Sequence, residues 1–382
     1  MNIVALKETV AGERRIGLTP GIVDKLVRLG MSVTLEPGLG ASLFLADAAF
    51  EKVGARFEPD RAALLSGADA LVSVNKPTSD VIAGLREGAV YVSFLDPFRS
   101  ADTVRALADA KVSAFCMELI PRTTYAQKMD ALSSQASLAG YAAVIIAAER
   151  IDKSLPMMST PAGTIAPARA FVVGAGVAGL QAIATAKRLG ARVEAYDTRP
   201  VVKEQVQSLG ARFVEIDVGE TGQTEQGYAR ALTEEQLEMQ RQQMAKVCAG
   251  ADIVVTTAQV FGRPAPKIIS AQMVAGMRPG AVIVDLAAST GGNVEGTQPG
   301  EEVRTDNGVL IVGLSNFPAE VARDASQMFA SNAYFLLEHA FDKEAGTLKL
   351  DTADEVIGAA LLTHEGEIRD ERVRGAVLEG SK

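Results

Sequence analysis

Several residue types are scarce in this sequence. It contains no tryptophan, two cysteines and two histidines, and aromatic residues make up 5% of its 382 residues. Cys116 and Cys248 lie far apart in apolar contexts, which predicts buried free thiols and is typical of a reducing, cytoplasmic compartment. No cluster of His, Cys and Asp has metal-ligand spacing, so no metal site is predicted. A secretion signal is not predicted either, because mixed charges follow the short N-terminal apolar run at once.

Concentrated positive charge and long apolar runs are also missing. The formal net charge is −9 and no stripe of Lys and Arg occurs, which argues against nucleic acid as a partner. Residues 139–148 form an apolar run too short for a membrane span, and the run at 171–186 is interrupted by three glycines. The chain is therefore predicted to be soluble by itself.

Short β-rich runs alternate with helical stretches along most of the chain, which predicts an α/β protein. The β-branched runs lack polar alternation, as in parallel strands that are buried on both faces. An Ala-rich helical segment begins near Asp130 and is predicted to bridge two domains. The prediction is two Rossmann-like domains with parallel sheets, joined by this long helix and with the first completed by the C-terminal segment. The predicted boundaries are 1–133 with 317–382, and 134–316.

The stretch FVVGAGVAGLQ predicts a dinucleotide-binding turn. Gly174 suits the tight turn after a strand, Gly176 suits a close approach to a pyrophosphate, and Gly179 suits close packing of the following helix. A second predicted strand ends at Asp197, where an acidic side chain accepts hydrogen bonds from ribose hydroxyls and favours NAD over NADP. Arg199 is a caution, since a nearby arginine accommodates a 2′-phosphate. A glycine turn used for packing alone is the alternative.

The densest polar group of the first half lies at residues 121–135. Arg122, Gln127, Asp130 and Ser133 are predicted on a hairpin or loop that leads into the long helix. The alternative is structural, with Arg122 and Asp130 as a loop ion pair and Ser133 as a helix N-cap.

At these residues the sequence resembles a known family. The strings MDALSSQASLAGYAAVI and PMMSTPAGTIAPARAFVVGAGVAGLQAIATAKRLGA closely resemble the NAD(H)-binding domain of proton-translocating nicotinamide nucleotide transhydrogenase, and the resemblance covers nearly the whole chain. It implies direct hydride transfer between NAD(H) here and NADP(H) on a partner subunit, coupled to proton translocation by membrane subunits. The implied activity is that of a Si-specific or Re/Si-specific proton-translocating NAD(P)+ transhydrogenase, which acts only with its partner chains. It also implies a homodimer on the inner face of the cell membrane.

The resemblance assigns roles to the polar group. Arg122, Asp130 and Ser133 would orient the nicotinamide ring and carboxamide, and Gln127 would reach the nicotinamide ribose and the incoming NADP(H). Direct hydride transfer needs two aligned rings shielded from water and no acid or base. The polar segment 219–243 would be a mobile loop that closes over the nucleotide, or else an insertion that ends in a solvated helix. The predicted cofactor-binding residues are Gly174, Gly176, Val177, Ala178, Gly179, Asp197, Thr198, Arg199, Gly227, Tyr228, Thr257 and Ala258.

Two other functions remain open. Alanine dehydrogenase, which shares the fold, needs a carboxylate clamp and an acid/base group, and its relatives supply an Arg, a Lys, a His and an Asp. Arg15 matches the Arg, but the other three positions hold Ser73, Phe94 and Ser289. Lys76 lies three residues along the same predicted strand and is expected on its opposite face. The third alternative is a non-catalytic NAD sensor.

Two departures from the transhydrogenase pattern concern the partner. Family members often have Arg where this chain has Tyr125, and a Pro-Gly loop where it has residues 260–263. Both positions are expected near the docking site of the NADP-binding subunit. They leave the predicted NAD site intact but bear on the affinity for that partner.

Overall fold

The fold was analysed in a computed structural model, which describes residues 1–216 and 233–379. The chain divides into two compact units. The first consists of Met1–Gln135 with Val321–Lys382, and the second is Ala136–Glu320.

The first unit begins with alternating strands and helices. Its strands are β1 Asn2–Ala5, β2 Ser32–Leu35, β3 Arg56–Phe57, β4 Ala70–Val72, β5 Val90–Ser93 and β6 Ser113–Cys116. Its helices are α1 Pro20–Arg28, α2 Asp47–Glu51, α3 Arg61–Ser66, α4 Ser79–Gly84 and α5 Ala101–Asp109. In α1, Pro20 occupies the first turn, where its missing N–H costs nothing, and Gly30 has a φ of +100° just after the helix. Short 3₁₀ turns lie at Ala41–Leu43, Met117–Leu119 and Ala126–Met129.

A twenty-residue helix, α6 Ala131–Arg150, contains the boundary between the two units. Among the described residues it is the one helix whose length and composition would allow it to cross a bilayer. The ten-residue apolar run at 139–148 therefore understates this helix. Core helices of globular proteins meet the same criterion, and 44% of its most apolar window is buried. Alone it is weak evidence for a membrane span.

The second unit has its own sheet and helices. Its strands are β7 Met158–Thr160, β8 Gly163–Ile165, β9 Arg169–Val173, β10 Arg192–Tyr196, β11 Arg212–Phe213, β12 Ile253–Thr256, β13 Val282–Asp285, β14 Glu302–Arg304 and β15 Leu310–Val312. Its helices are α7 Val177–Arg188, α8 Lys203–Ser208, α9 Glu234–Gly250 and α10 Ala271–Ala275, with 3₁₀ turns at Pro200–Val202, Ala288–Thr290 and Phe317–Val321.

The C-terminal segment belongs to the first unit. It forms α11 Ala322–Ala340, β16 Phe341–Asp342, β17 Thr347–Leu348, α12 Glu355–Ala360, β18 Leu361–His364, β19 Glu367–Ile368 and α13 Glu371–Glu379. Strand β18 pairs antiparallel with β6, so this segment completes the first sheet. Helix α11 is mostly buried, because its many small and apolar residues join the core of this unit.

Both large sheets reverse direction at a central strand. The first sheet has the order β19-β18-β6-β5-β4-β1-β2-β3, and the second has the order β11-β10-β9-β12-β13-β15-β14. Each chain path runs outward from β1 or β9, then returns to the other side at β4 or β12. The two switch points lie between β1 and β4 and between β9 and β12, where open α/β sheets bind ligands at the carboxyl ends of their strands.

The predicted fold class is confirmed, with one refinement. Pairing is parallel except for β18 and β19 in the first sheet and β14 in the second. These three are edge or near-edge strands, whereas the central strands β4, β5, β12 and β13 are buried throughout. Burial on both faces explains their continuous apolar sequences.

Candidate functional site

The glycine turn lies at the switch point of the second sheet. Strand β9 ends at Val173, Gly174 has a φ of +97°, and α7 begins at Val177. A Cβ at Gly174 would lie 2.4 Å from Thr257 Oγ1, and one at Gly179 would lie 1.9 Å from the Gly174 carbonyl oxygen. Neither position has room for a side chain, so the helix packs tightly against the end of the strand.

Gly176 differs from its two neighbouring glycines. A Cβ at this position would meet nothing within 4 Å, so the structure itself does not require a glycine here. Gly176 is also the N-cap of α7, and no side chain caps the helix. The free N–H groups of the first turn, together with Val177 and Ala178, therefore face a space that a phosphate group fits.

Asp197 directly follows β10 and reaches the glycine turn. Its Oδ2 accepts a 2.7 Å hydrogen bond from the Ala175 N–H, which fixes the carboxylate beside the turn. The Arg199 side chain donates to both carboxylate oxygens, at 3.0 and 2.9 Å, and Asp197 raises the pKa of the guanidinium. The charge of Arg199 is thus already paired with Asp197, and Thr198 lies between the two in the chain.

Thr257 and Ala258 lie across the switch point, after the end of β12. Thr257 Oγ1 donates to the carbonyls of Val173 and Gly174, so it ties β12 to the turn. The backbone of Ala258 is held from both sides by Asn293, whose amide accepts from its N–H and donates to its carbonyl. The two segments at the switch point are therefore rigidly joined.

Sequence reasoning missed two supports of this region. Asp285 is fully buried at the end of β13 and accepts hydrogen bonds from the backbone N–H groups of Asn293 and Val294 and from the Thr297 hydroxyl. It thereby holds the turn that presents Asn293. The signal in the sequence was an acidic residue at the end of a wholly apolar strand, since a buried carboxylate needs several donors.

The sequence predicts a loop over the segment 219–243, and part of this prediction is wrong. Helix α9 begins at Glu234, where Thr233 and Gln236 form a reciprocal capping box. The Thr-x-x-Gln spacing is a sequence signal for a helix start. Gly227 and Tyr228, predicted to bind the cofactor, lie outside the described residues.

The predicted hydride-site residues lie at the start of α6 in the first unit. Asp130 caps this helix, because its Oδ1 accepts from the Ser133 N–H and its Oδ2 accepts from the Ser133 hydroxyl at 2.6 Å. The alternative in which Ser133 is the N-cap is therefore wrong. Arg122 and Gln127 are exposed on the preceding segment. The hydroxyl of Thr123, beside Arg122, is buried without a hydrogen-bond partner in the described chain.

The switch point of the first sheet is filled by the chain's own charges. Arg15 donates three side-chain bonds, two to Glu13 and one to Gln135. Asn75 donates to the carboxylates of both Glu8 and Glu13 at 3.0 Å. Burial raises the pKa of Glu8; burial acts the same way on Glu13, but the hydrogen bonds and charge of Arg15 outweigh it and hold the pKa of Glu13 below its ordinary value. The adjoining cavity has a volume of about 130 Å³.

The positions where alanine dehydrogenases carry acid/base groups are occupied by other contacts. Ser73 shares a hydrogen bond with Tyr91 and donates to the Asn75 carbonyl, and Phe94 packs against Phe329 with ring centroids 5.4 Å apart. The prediction that Lys76 shares a strand with Ser73 is wrong, since β4 ends at Val72. Its ammonium instead donates to Ser100.

Both cysteines are free and buried, as predicted. Burial raises the pKa of Cys248 to about 12 and raises that of Cys116 as well, so both thiols are inert near neutral pH. Among the residues that the structure describes, no three His, Cys, Asp or Glu side chains are grouped to hold a metal ion.

Comparison with known proteins places the chain in a family. Residues 4–139 match the family model of the alanine dehydrogenase/PNT N-terminal domain, and residues 143–371 match that of the C-terminal domain. The chain is 44% identical over 375 residues to an NAD(P) transhydrogenase alpha subunit of Rhodospirillum rubrum, covering 96% of this chain and 97% of that protein. It belongs to the alanine dehydrogenase/PNT family, with the NAD(P) transhydrogenase alpha subunits.

Other relatives agree with this placement. The crystal structure of a transhydrogenase from Sinorhizobium meliloti is 43% identical, with a TM-score of 0.87, and the match covers 96% of this chain and all of that one. The alanine dehydrogenase of Mycobacterium tuberculosis is 27% identical over 375 residues, which cover 96% of this chain and 94% of that protein. The family is thus shared with alanine dehydrogenases at a greater distance.

Proposed function

We propose that this protein is the NAD(H)-binding subunit of a proton-translocating NAD(P)+ transhydrogenase. It would bind NAD(H) in its second unit and exchange a hydride directly with NADP(H) on a partner subunit, while membrane subunits couple the exchange to proton movement. The exchange would be Si-specific or Re/Si-specific, and the activity would require the partner chains.

The second switch point fits a dinucleotide. The open space at Gly176 and the uncapped start of α7 suit a pyrophosphate, since backbone N–H groups and the helix dipole both favour an anion. Thr257 and Ala258 are held rigidly on the other side of the switch point. Gly227 and Tyr228 remain predicted contributors from the adjoining segment.

The pairing of Asp197 with Arg199 supports NAD over NADP. The carboxylate lies at the end of the strand next to the turn, where it would accept hydrogen bonds from the adenosine ribose hydroxyls. A 2′-phosphate would meet this negative charge, and Arg199 is already engaged by the same carboxylate. Thr198 would contribute to the same ribose region.

The polar group of the first unit would orient the reacting end of the cofactor. The nicotinamide ring supplies the hydride, and Arg122, Gln127, Asp130 and Ser133 would hold it in the reacting geometry. Asp130 and Ser133 already fix one another at the start of α6, so they need little reorganisation. The orphaned hydroxyl of Thr123 supports a ligand here, because a buried unpaired hydroxyl is costly unless something else pairs with it.

The observation that carries the choice of acceptor is the filled switch point of the first unit. Arg15 is bound by Glu13 and Gln135 and so is not available to clamp the carboxylate of an amino acid. Ser73 and Phe94 supply no acid or base for oxidation of an amine. A second nucleotide, which needs no such group, is therefore favoured over an amino acid.

The homodimer and the partner subunits belong to the same proposal. The hairpin of β7 and β8 is exposed along its whole length, and Met157, Met158 and Ile165 expose large apolar side chains there. Such an exposed apolar hairpin supports association with a second copy. The chain would lie at the inner face of the cell membrane, held by its partner subunits.

The test is reduction of an NAD analogue by NADPH, with and without an NADP-binding transhydrogenase subunit. The proposal predicts a rate that requires the partner and that falls sharply in Gln127→Asn. Alanine-dependent reduction of NAD by the chain alone would support the alanine dehydrogenase alternative instead. Tight NADH binding with no transfer to any transhydrogenase partner would point to a sensor.

A further inference from the structure

Helix α11 holds the segment that carries Arg122 and Gln127. Three of its residues contact segment 121–134, and their spacing of three and then four residues places them on one face of the helix. The three residues are Asn332, Phe335 and His339.

The first two contacts hold the end of the segment. Asn332 donates a 2.7 Å hydrogen bond to the Lys128 carbonyl and accepts one of 2.8 Å from Ser134. The Lys128 ammonium lies 5.3 Å from the centre of the Phe335 ring, a cation–π contact. These contacts fix the turn immediately before α6.

The third contact is a chain of hydrogen bonds that ends on an exposed side chain. The Tyr125 hydroxyl lies 3.0 Å from His339 Nδ1, and His339 Nε2 lies 3.0 Å from both carboxylate oxygens of Asp354. The two rings also meet edge to face, with centroids 5.5 Å apart. Asp354 is itself fixed, because it caps α12 by accepting from two backbone N–H groups.

The direction of the hydrogen bonds follows from the acceptors. A carboxylate only accepts, so the neutral imidazole carries its proton on Nε2 and leaves Nδ1 to accept from the Tyr125 hydroxyl. Tyr125 is 63% exposed, and an exposed loop side chain ordinarily moves between rotamers within nanoseconds. Here its hydroxyl is anchored, through two side chains, to the start of another helix.

We propose that the Tyr125–His339–Asp354 chain is a positioning device for the hydride-transfer segment. Tyr125 lies between Arg122 and Gln127, so releasing its hydroxyl frees the backbone on which both side chains are carried. This inference rests on the proposed function, since it assigns the segment a role in that reaction. His339 and Asp354 act through Tyr125 and are positioning residues.

The test compares Tyr125→Phe and His339→Gln with His364→Gln. His364 is a matched control: it is the other histidine of the chain, it also bonds a hydroxyl through Nδ1, and that hydroxyl belongs to Ser113 at the opposite end of β6. With the full chain and an NADP-binding subunit, the two test variants should slow hydride transfer about tenfold while the dissociation constant of NADH stays within about twofold. The control should match the unaltered chain in both.

Two further measurements separate positioning from simple destabilisation. Tyr125→Phe should add nothing to His339→Gln, because both break the same bond, whereas His339→Asn, with an amide oxygen near the place of Nδ1, should recover part of the rate. Trypsin cleavage after Arg122 and Lys128 should accelerate in the two test variants and not in the control. This readout needs no activity.

The outcomes are distinguishable. Unchanged transfer rates in variants of an active chain would overturn the inference, even if trypsin cleavage accelerates. Independent, additive effects of Tyr125→Phe and His339→Gln would overturn it as well. No transfer by the unaltered chain, with any partner, would overturn the proposed function and with it this role.

Discussion

The two sheets of this protein have the same switch in strand order, but their switch points are furnished differently. In the second unit the crevice between β9 and β12 contains a glycine turn with open space at Gly176. In the first unit the crevice between β1 and β4 is occupied by Glu8, Glu13, Arg15 and Asn75, which bond to one another. The remaining cavity of about 130 Å³ is well below the roughly 300 Å³ of ordinary small-molecule sites.

The comparison teaches that strand order offers a site and the loops after the strands decide whether it is used. Glycine keeps the second crevice empty because it has no side chain, and Asp197 is bonded beside the turn rather than across it. Arg15, which would serve an amino-acid substrate, is instead neutralised within the first crevice. The same architecture thus gives one open and one closed crevice.

The largest expected effect comes from unpairing the charges in the closed crevice. Glu13→Gln removes the carboxylate that pairs with Arg15, whose side chain is only 8% exposed. An uncompensated buried charge should lower the free energy of unfolding by about 3 kcal/mol, measured by urea denaturation. Asp24→Asn, which breaks an exposed pair with Arg28, is the control and should cost under about 1 kcal/mol. An equal effect in both variants would contradict the buried ion pair.

The second effect concerns the open crevice. Gly176→Ala places a methyl group where the structure has free space, so the fold should keep its stability. NADH affinity should nevertheless fall by a factor of about 30, because the methyl group occupies the approach of the pyrophosphate. Gly21→Ala, at another glycine with open space around it, is the matched control for calorimetric titration. Undiminished NADH binding by Gly176→Ala would place the nucleotide elsewhere.

Nucleotide selectivity gives a smaller effect. Asp197→Asn removes the negative charge at the end of β10 and releases Arg199 from its ion pair. NADH should bind about tenfold more weakly, since a hydrogen bond to a charged group is worth about 1.5–3 kcal/mol, and NADPH should bind more tightly. Dissociation constants for both nucleotides check this. A parallel loss for both would show that Asp197 only supports the turn.

The two carboxylates of the closed crevice should respond to pH in opposite directions. Glu13 has a lowered pKa, so its contribution to stability is present above its ordinary value of 4.5 and is lost as pH falls through the folded pKa. Glu8 has a raised pKa because of burial, so its contribution is present below 4.5 and is lost as pH rises through the folded pKa.

Urea denaturation at a series of pH values checks this pair. Relative to the unaltered chain, Glu8→Gln should become more favourable as pH rises above 4.5, and Glu13→Gln should become less favourable. The same trend in both variants would mean that the crevice does not separate their pKa values.

The fold was predictable because its signals are local. Continuous β-branched runs predicted the buried central strands, and the glycine turn after β9 with Asp197 after β10 predicted the open switch point. The edge strands β14 and β18 were harder, since their antiparallel direction is set by pairing with distant chain. The start of α9 was missed although the capping box at Thr233 signalled it.

The closed crevice could not have been predicted from the sequence. Arg15 matches a carboxylate clamp by its place in the chain, but its pairing with Gln135 joins residues 120 positions apart. Likewise, Tyr125 and His339 are separated by 214 positions, and neither carries a local motif that points to the other. Contacts of this kind depend on packing, which local pattern does not encode.

The most direct test of the central claim is a calorimetric titration of the full chain with NADH. The account predicts one NADH per chain, with affinity retained in Glu13→Gln under conditions where that variant is folded, and weakened in Gly176→Ala. Two equivalent NADH molecules per chain, or affinity that depends on Glu13 and not on Gly176, would contradict the assignment of one open and one closed crevice.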